Sequence, residues 1–170
     1  MNYMITMVNA VVIYNSKSGN TEMVGKKIAE GLGCKAYHKK NFPKDLSIYD
    51  LVVAGSFMRI GLLQGGNMFS KIAKKYSGKV ALFFTSGGPD EEYPFGKEEG
   101  KPPRFIKDVM WEKMEKNLRE NPNIEIIGER YYCKGDIKFE KKKTDYVRKC
   151  PSDEDLQNAK EFGESLKAIL

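Results

Sequence analysis

Ser16, Ser18, Asn20 and Thr21 set three hydroxyls and a carboxamide close together, with Lys17 and Gly19 between them. This cluster follows the apolar, β-branched run Ala10–Tyr14, and Thr21 opens a stretch with Val24, Ile28 and Leu32 at four-residue spacing. The first is a strand pattern and the second a helix pattern. The first N–H groups of a helix have no intrahelical partner, so a small polar loop at its start makes a ready anion site. An ordinary N-capped turn would use the same residue types. Two further apolar runs, however, end in loops of similar composition: Gly55-Ser56 and Thr85-Ser86-Gly87-Gly88. Small residues there allow a ligand to approach the backbone. In an open parallel sheet, ligands bind beyond the carboxyl ends of the strands.

Several anion chemistries are excluded by spacing. A Walker loop needs Gly, four residues, then Gly-Lys-Ser/Thr. Here five residues separate Gly19 from Gly25, and Lys27 stands where a hydroxyl would hold magnesium. No G-x-G-x-x-G joins a strand to a helix, so the dinucleotide fingerprint is missing. A phospho-acceptor would want a carboxylate after the third strand, whereas Asp50 stands at its start. The single histidine, His38, ends a short strand and reads as a surface residue, far from a Ser–His–Asp arrangement.

The elements that must position these loops alternate through the chain. Five strands are expected at Ala10–Tyr14, Cys34–His38, Leu51–Ala54, Val80–Phe84 and Ile124–Tyr132, the last at an edge. Continuous rather than alternating apolarity in most of them implies burial on both faces. Helices follow Thr21, follow Asn67 as N-cap, span Arg104–Asn121, and start at Ser152. Phe57–Gly66 and Pro89–Pro103 read as loops, and Lys134–Lys149 as a basic irregular stretch. The pattern selects a single α/β domain over residues 1–170, an open parallel sheet wound on both faces.

Composition agrees with one soluble globular domain: 170 residues, 41% hydrophobic and 31% charged. The net charge of +6 is uneven. Residues 1–90 hold 12 basic and 5 acidic groups, and residues 91–170 hold 17 and 18. Scattered lysines rather than arginine clusters argue against a nucleic-acid binder. Cys34, Cys133 and Cys150 have no close spacing and read as reduced thiols, leaving no zinc or iron–sulfur ligand set. No apolar run approaches the length of a membrane span. The first residues lack a charged lead into an apolar stretch, with Met4 and Met7 as alternative starts, so a cytoplasmic location is expected.

Ser16-Lys17-Ser18-Gly19-Asn20-Thr21-Glu22 resembles the phosphate loop of the flavodoxin family, Ser/Thr-x-Ser/Thr-Gly-Asn-Thr, often with Glu next. The likeness extends over the whole chain, with Gly55-Ser56 after the third strand and a Gly-rich loop after the fourth. It implies a flavodoxin-like three-layer sandwich, a five-stranded parallel sheet of order 2-1-3-4-5, and non-covalent FMN. It also implies that Ser16, Ser18, Asn20 and Thr21, with the backbone of Lys17 and Gly19, hold the phosphate. The ring would lie against Ser56, Phe57, Met58, Arg59, Ile60 and Gly61, and against Thr85, Ser86, Gly87 and Gly88. Tyr93 would cover its outer face, with Tyr132 and Phe95 as competitors. At Ile60–Gly61 the peptide could turn as flavin N5 becomes a donor on reduction. The acidic residues Asp90, Glu91, Glu92, Glu98 and Glu99 would lower the reduction potential.

The third-strand loop departs from the family's Gly-Ser-Pro-Thr-Trp. Gly55-Ser56-Phe57-Met58-Arg59-Ile60-Gly61 is closer to the Ile-Arg-x-Gly loop of flavodoxin-like protoporphyrinogen oxidases. Trp111 lies on a helix and is expected in the core. Flavodoxins are usually acidic carriers, and this chain is basic. The resemblance implies a carrier of electrons between redox partner proteins, and the basic charge counts against an ordinary flavodoxin. The alternatives are an FMN-dependent oxidoreductase acting on a quinone or porphyrin-like molecule, and an accessory binding module of a redox complex.

Overall fold

The structure is a computed structural model and describes residues 8–59, 61–86, 92–93, 99–134 and 151–170. Strands β1 (Ala10–Tyr14), β2 (Lys35–His38), β3 (Leu51–Arg59), β5 (Lys79–Ser86) and β6 (Glu125–Lys134) form a parallel sheet of order β2-β1-β3-β5-β6. A short strand, β4 (Leu62–Leu63), pairs antiparallel with the end of β3. Without β4, the order is the expected 2-1-3-4-5.

Helices cover both faces: α1 (Asn20–Leu32) and α4 (Asp153–Leu166) on one, α2 (Gly66–Lys75) and α3 (Ile106–Leu118) on the other. Successive strand residues point to opposite faces. Val11, Ile13, Val52, Ala54, Val80, Leu82 and Phe84 thus pack toward α2 and α3. Val12, Tyr14, Leu51, Val53, Ala81 and Phe83 pack toward α1 and α4. This two-sided burial is why the strands read as unbroken apolar runs. Trp111 is buried edge-to-face with Phe84, 4.8 Å between ring centroids, and the Arg130 guanidinium lies over its ring at 5.5 Å.

Where α1 and α4 meet, their glycines face backbone. A Cβ on Gly31 would lie 2.0 Å from the Lys160 carbonyl oxygen, and one on Gly163 would lie 2.2 Å from that of Ile28. Hydrogen removes the side chain that would hold the two helices apart. Ser152 caps α4 as expected. Its hydroxyl accepts from the Asp155 N–H, and the Asp155 carboxylate accepts from the Ser152 N–H. Ser152→Ala should therefore lower stability by about 1 kcal/mol in urea titration.

Two expectations are corrected. Phe57–Gly66 is not a plain loop: Phe57–Arg59 extend β3, and Met58↔Leu63 and Arg59↔Leu62 close a hairpin with β4. The hairpin gives backbone groups beyond the main sheet partners of their own. Asn67 is not the N-cap of α2. Gly65 takes that position with φ 67°, and Asn67 lies exposed inside the first turn. The left-handed turn brings Gly65 under Asn15, where a Cβ would meet the Asn15 amide nitrogen at 2.4 Å. Only glycine suits both constraints.

Cys34 and Cys133 are not joined in a disulfide, and burial pushes the Cys34 thiol up to about 11, which keeps it neutral at physiological pH. Cys150, the basic stretch 135–149 and the expected ring-side residues Ile60, Gly87, Gly88 and Phe95 lie outside the described residues. So do Asp90, Glu91 and Glu98.

Candidate functional site

The carboxyl ends of β1, β3 and β5 lie side by side at one edge of the sheet, which brings Ser16–Thr21, Ser56–Arg59 and Thr85–Ser86 together. In register, Phe57 stands beside Thr85 and Tyr14 beside Gly55. Loops 41 and 64 residues apart in sequence are joined here by side chains.

The loop after β1 is shaped by its own hydroxyl and glycine. Ser16 Oγ accepts from the Gly19 N–H at 3.2 Å, and Gly19 takes φ 95° at the N-cap of α1. The first bond along the helix runs from the Met23 N–H to the Gly19 carbonyl at 3.0 Å. The N–H groups of Asn20, Thr21 and Glu22 precede it and face outward from the helix end. Lys17 and Ser18 are exposed beside them. An added Cβ on Gly19 would meet no atom within 4 Å, so the space over the loop is open. Glu22, the one carboxylate in this first turn, is drawn away by Lys26 at 2.6 Å. The Lys26 ammonium, with smaller help from the Tyr14 hydroxyl, holds its carboxyl below the ordinary value. The donor set left at the helix end suits a dianion such as a phosphate.

Thr21 and Thr85 are both buried, and their hydroxyls bond each other at 2.8 Å. One hydroxyl hydrogen makes that bond, which leaves the second for an acceptor outside the pair. The pair pins the start of α1 to the end of β5.

Ser56 is fully buried, accepts from the Asn15 Nδ2 at 3.1 Å, and donates to the Gln64 carbonyl at 2.5 Å. Its hydroxyl hydrogen is thus used inside the protein, and Ser56 ties the two loops together. Asn15 also donates its backbone N–H to the Gly55 carbonyl at 3.0 Å. Together Asn15, Ser56 and Gln64 tie the β1 loop to the β3–β4 hairpin. Sequence reasoning missed Asn15 and Gln64. The available signal was a buried-strand pattern continuing directly into an amide side chain at Asn15. Asn15→Ala would leave the buried Ser56 hydroxyl without its donor. A loss of about 1–2 kcal/mol is expected by urea unfolding, and a loss below the error of measurement would show that the two loops are not joined through it.

The hairpin carries the remaining ring-side candidates. Phe57 and Met58 are half-buried, Arg59 is exposed, and Gly61 is buried with φ 67°. Thr85 and Ser86 are buried at the end of β5. Tyr93 is held to α3 and to the segment before it. Its N–H donates to the Arg104 carbonyl at 2.6 Å, its hydroxyl accepts from Lys113 Nζ at 3.0 Å, and the ammonium lies 5.1 Å from the ring centroid. The competitor Tyr132 packs on Phe84 with ring centroids 4.6 Å apart. Of the acidic residues, Glu92 and Glu99 are exposed. Among the described residues no cluster of His, Cys, Asp or Glu could hold a metal ion. No described helix is long and apolar enough to cross a membrane.

The arrangement of the whole chain can be set against solved structures. It superposes on a flavodoxin from the domain Archaea with TM-score 0.60 and 18% identity, over 94% of this chain and 96% of that one. The chain has a flavodoxin-like fold. Oxidised flavodoxin 2 from Bacillus cereus gives TM-score 0.59 and 15% identity, over 96% of this chain and 100% of the other. A flavoprotein in complex with FMN from Lactobacillus acidophilus gives 0.51 and 16%, over 74% and 92%. No protein-family model matches the sequence, and no curated protein matches it. Within this flavodoxin-like frame, the β3–β4 hairpin and the Asn15–Ser56–Gln64 connection hold the loops of β1 and β3 together.

Proposed function

We propose that the protein binds FMN non-covalently at the carboxyl edge of the sheet and carries electrons between redox partner proteins. The observation that carries this reading is the start of α1. Its outward N–H groups, the Gly19 turn and the hydroxyls of Ser16 and Ser18 form an open site for a phosphate dianion. The flavodoxin-like fold and the FMN complex of a structural neighbour support the same group. FMN, when bound, supplies exchange of one or two electrons. The chain's own residues orient it. In this reading the β1 loop takes the phosphate and Thr21 joins that loop to β5. The hairpin residues Phe57, Met58 and Gly61 flank the ring, and Tyr93 is the covering aromatic.

The test is the absorption spectrum of the purified protein, followed by titration of the apoprotein with FMN and with riboflavin. A yellow protein with about one FMN per chain is expected, with riboflavin held far more weakly because it lacks the phosphate. A colourless protein that leaves FMN fluorescence unquenched would overturn the reading and favour an accessory module. The residues at the hairpin, which resemble those of quinone-reducing relatives, favour a second reading as an oxidoreductase. Steady turnover of a quinone by the FMN-loaded protein would select it over the carrier.

A further inference from the structure

Lys17 stands two residues before the N-cap of α1, exposed, where a cation is opposed by the helix dipole. Lys39 and Lys40 follow directly on the carboxyl end of β2, the neighbour of β1, and the Lys39 N–H donates to the Tyr14 carbonyl at 2.7 Å. Adjacent strands lie about 5 Å apart, so these two lysines border the loop that carries Lys17. Among the described residues none of the three forms an ion pair. The nearest described carboxylate on α1, Glu22, is already neutralised by Lys26.

Two other exposed lysines have structural uses. Lys74 and Lys75 stand in the last turn of α2, where they complement its dipole, and Lys75 lies over the Phe42 ring at 5.6 Å. That turn lies at the amino edge of the sheet, because α2 runs against the strands. Lys17, Lys39 and Lys40 stand at the opposite edge, with no carboxylate partner among the described residues. A negative group arriving from outside would supply one. One phosphate dianion would answer Lys17, while Lys39 and Lys40 extend beyond the loop along the rim.

We propose that this rim, on the β1–β2 side of the site, is the docking surface for an acidic electron-transfer protein. The inference deepens the carrier reading and rests on it for the nature of the partner. The partner's acidic face would meet Lys39 and Lys40 and lie beside the loop after β1. Such contacts favour encounter and orientation over tight binding, and they weaken with salt.

The test is titration of the isotope-labelled protein, apo and FMN-loaded, with an acidic [2Fe–2S] ferredoxin, followed by amide NMR shifts. Shifts clustered at residues 17, 39 and 40 are expected at low ionic strength. Lys39→Glu/Lys40→Glu should weaken the association about tenfold, as should raising the salt to about 0.2 M. The basic cytochrome c should leave those amides unmoved. The proposal is overturned if ferredoxin moves no amides there or moves mainly those of α2, or if the double variant binds as tightly as the parent. It is also overturned if duplex DNA or anionic phosphatidylserine vesicles shift the same amides at lower concentration than ferredoxin. Because the apoprotein is titrated as well, failure of FMN binding would overturn the flavin reading while the docking result stands or falls separately.

Discussion

Gly31→Ala and Gly163→Ala are each expected to destabilise the protein by about 2–3 kcal/mol, the largest loss of any single methyl addition on α1 or α4. The added carbon would sit 2.0 Å from the Lys160 carbonyl oxygen in the first case and 2.2 Å from the Ile28 carbonyl oxygen in the second. Both obstacles are backbone, so no rotamer change relieves them, and the helices must separate. Separation would loosen the buried contacts of Ile28, Leu32, Ala159 and Leu166 together. Overpacking of this kind costs about 1–3 kcal/mol when a side chain can yield, and backbone yields less. Gly128→Ala is the control: its Cβ would meet nothing within 4 Å, so stability should stay within about 0.5 kcal/mol. Urea midpoints at unchanged slope measure the difference. A Gly31→Ala midpoint equal to that of Gly128→Ala would show that α1 and α4 do not meet backbone to backbone.

Gly19→Val should reduce FMN affinity about 100-fold while costing the fold only about 1–2 kcal/mol. The two effects separate because of geometry. Gly19 lies at φ 95°, which a β-branched residue adopts only under strain, yet its Cβ would displace no protein atom. The loop can therefore relax at modest cost to the fold by turning this peptide. Relaxation would break the bond from the Gly19 N–H to Ser16 Oγ and swing neighbouring N–H groups off a common target. Each hydrogen bond to a charged group contributes about 1.5–3 kcal/mol, so losing one or two accounts for the factor. Riboflavin has no phosphate and should bind parent and variant alike. Fluorescence titration with both ligands decides it: an FMN affinity within threefold of the parent would remove the phosphate from this loop.

Much of this architecture was legible before any coordinates. Ala10–Tyr14, Leu51–Ala54 and Val80–Phe84 are unbroken apolar runs because their residues are buried on both faces. The loop after β1 was legible for a related reason. Its signal sits in adjacent residues: hydroxyls, a glycine able to take positive φ, and the first turn of a helix.

The departures all involve partners distant in sequence. Phe57–Arg59 carry no strand signal of their own and are extended because β5 and β4 offer them hydrogen bonds. Asn67 has the chemistry of a cap, but the hairpin's return delivers Gly65 to that position beneath Asn15. The Ser56 hydroxyl is bonded by Asn15 and Gln64, 41 and 8 residues away. The sequence by itself determined the order of the elements, the two-sided burial of the strands and the loop with the chemistry to hold an anion. Each depends on neighbours within a few positions, whose periodicity and backbone preferences act locally. Only the tertiary structure decided which hydroxyls face outward and which are spent inside, and which glycines touch backbone. Those outcomes depend on groups that meet across 41, 64 or more residues, and no local pattern encodes such a meeting.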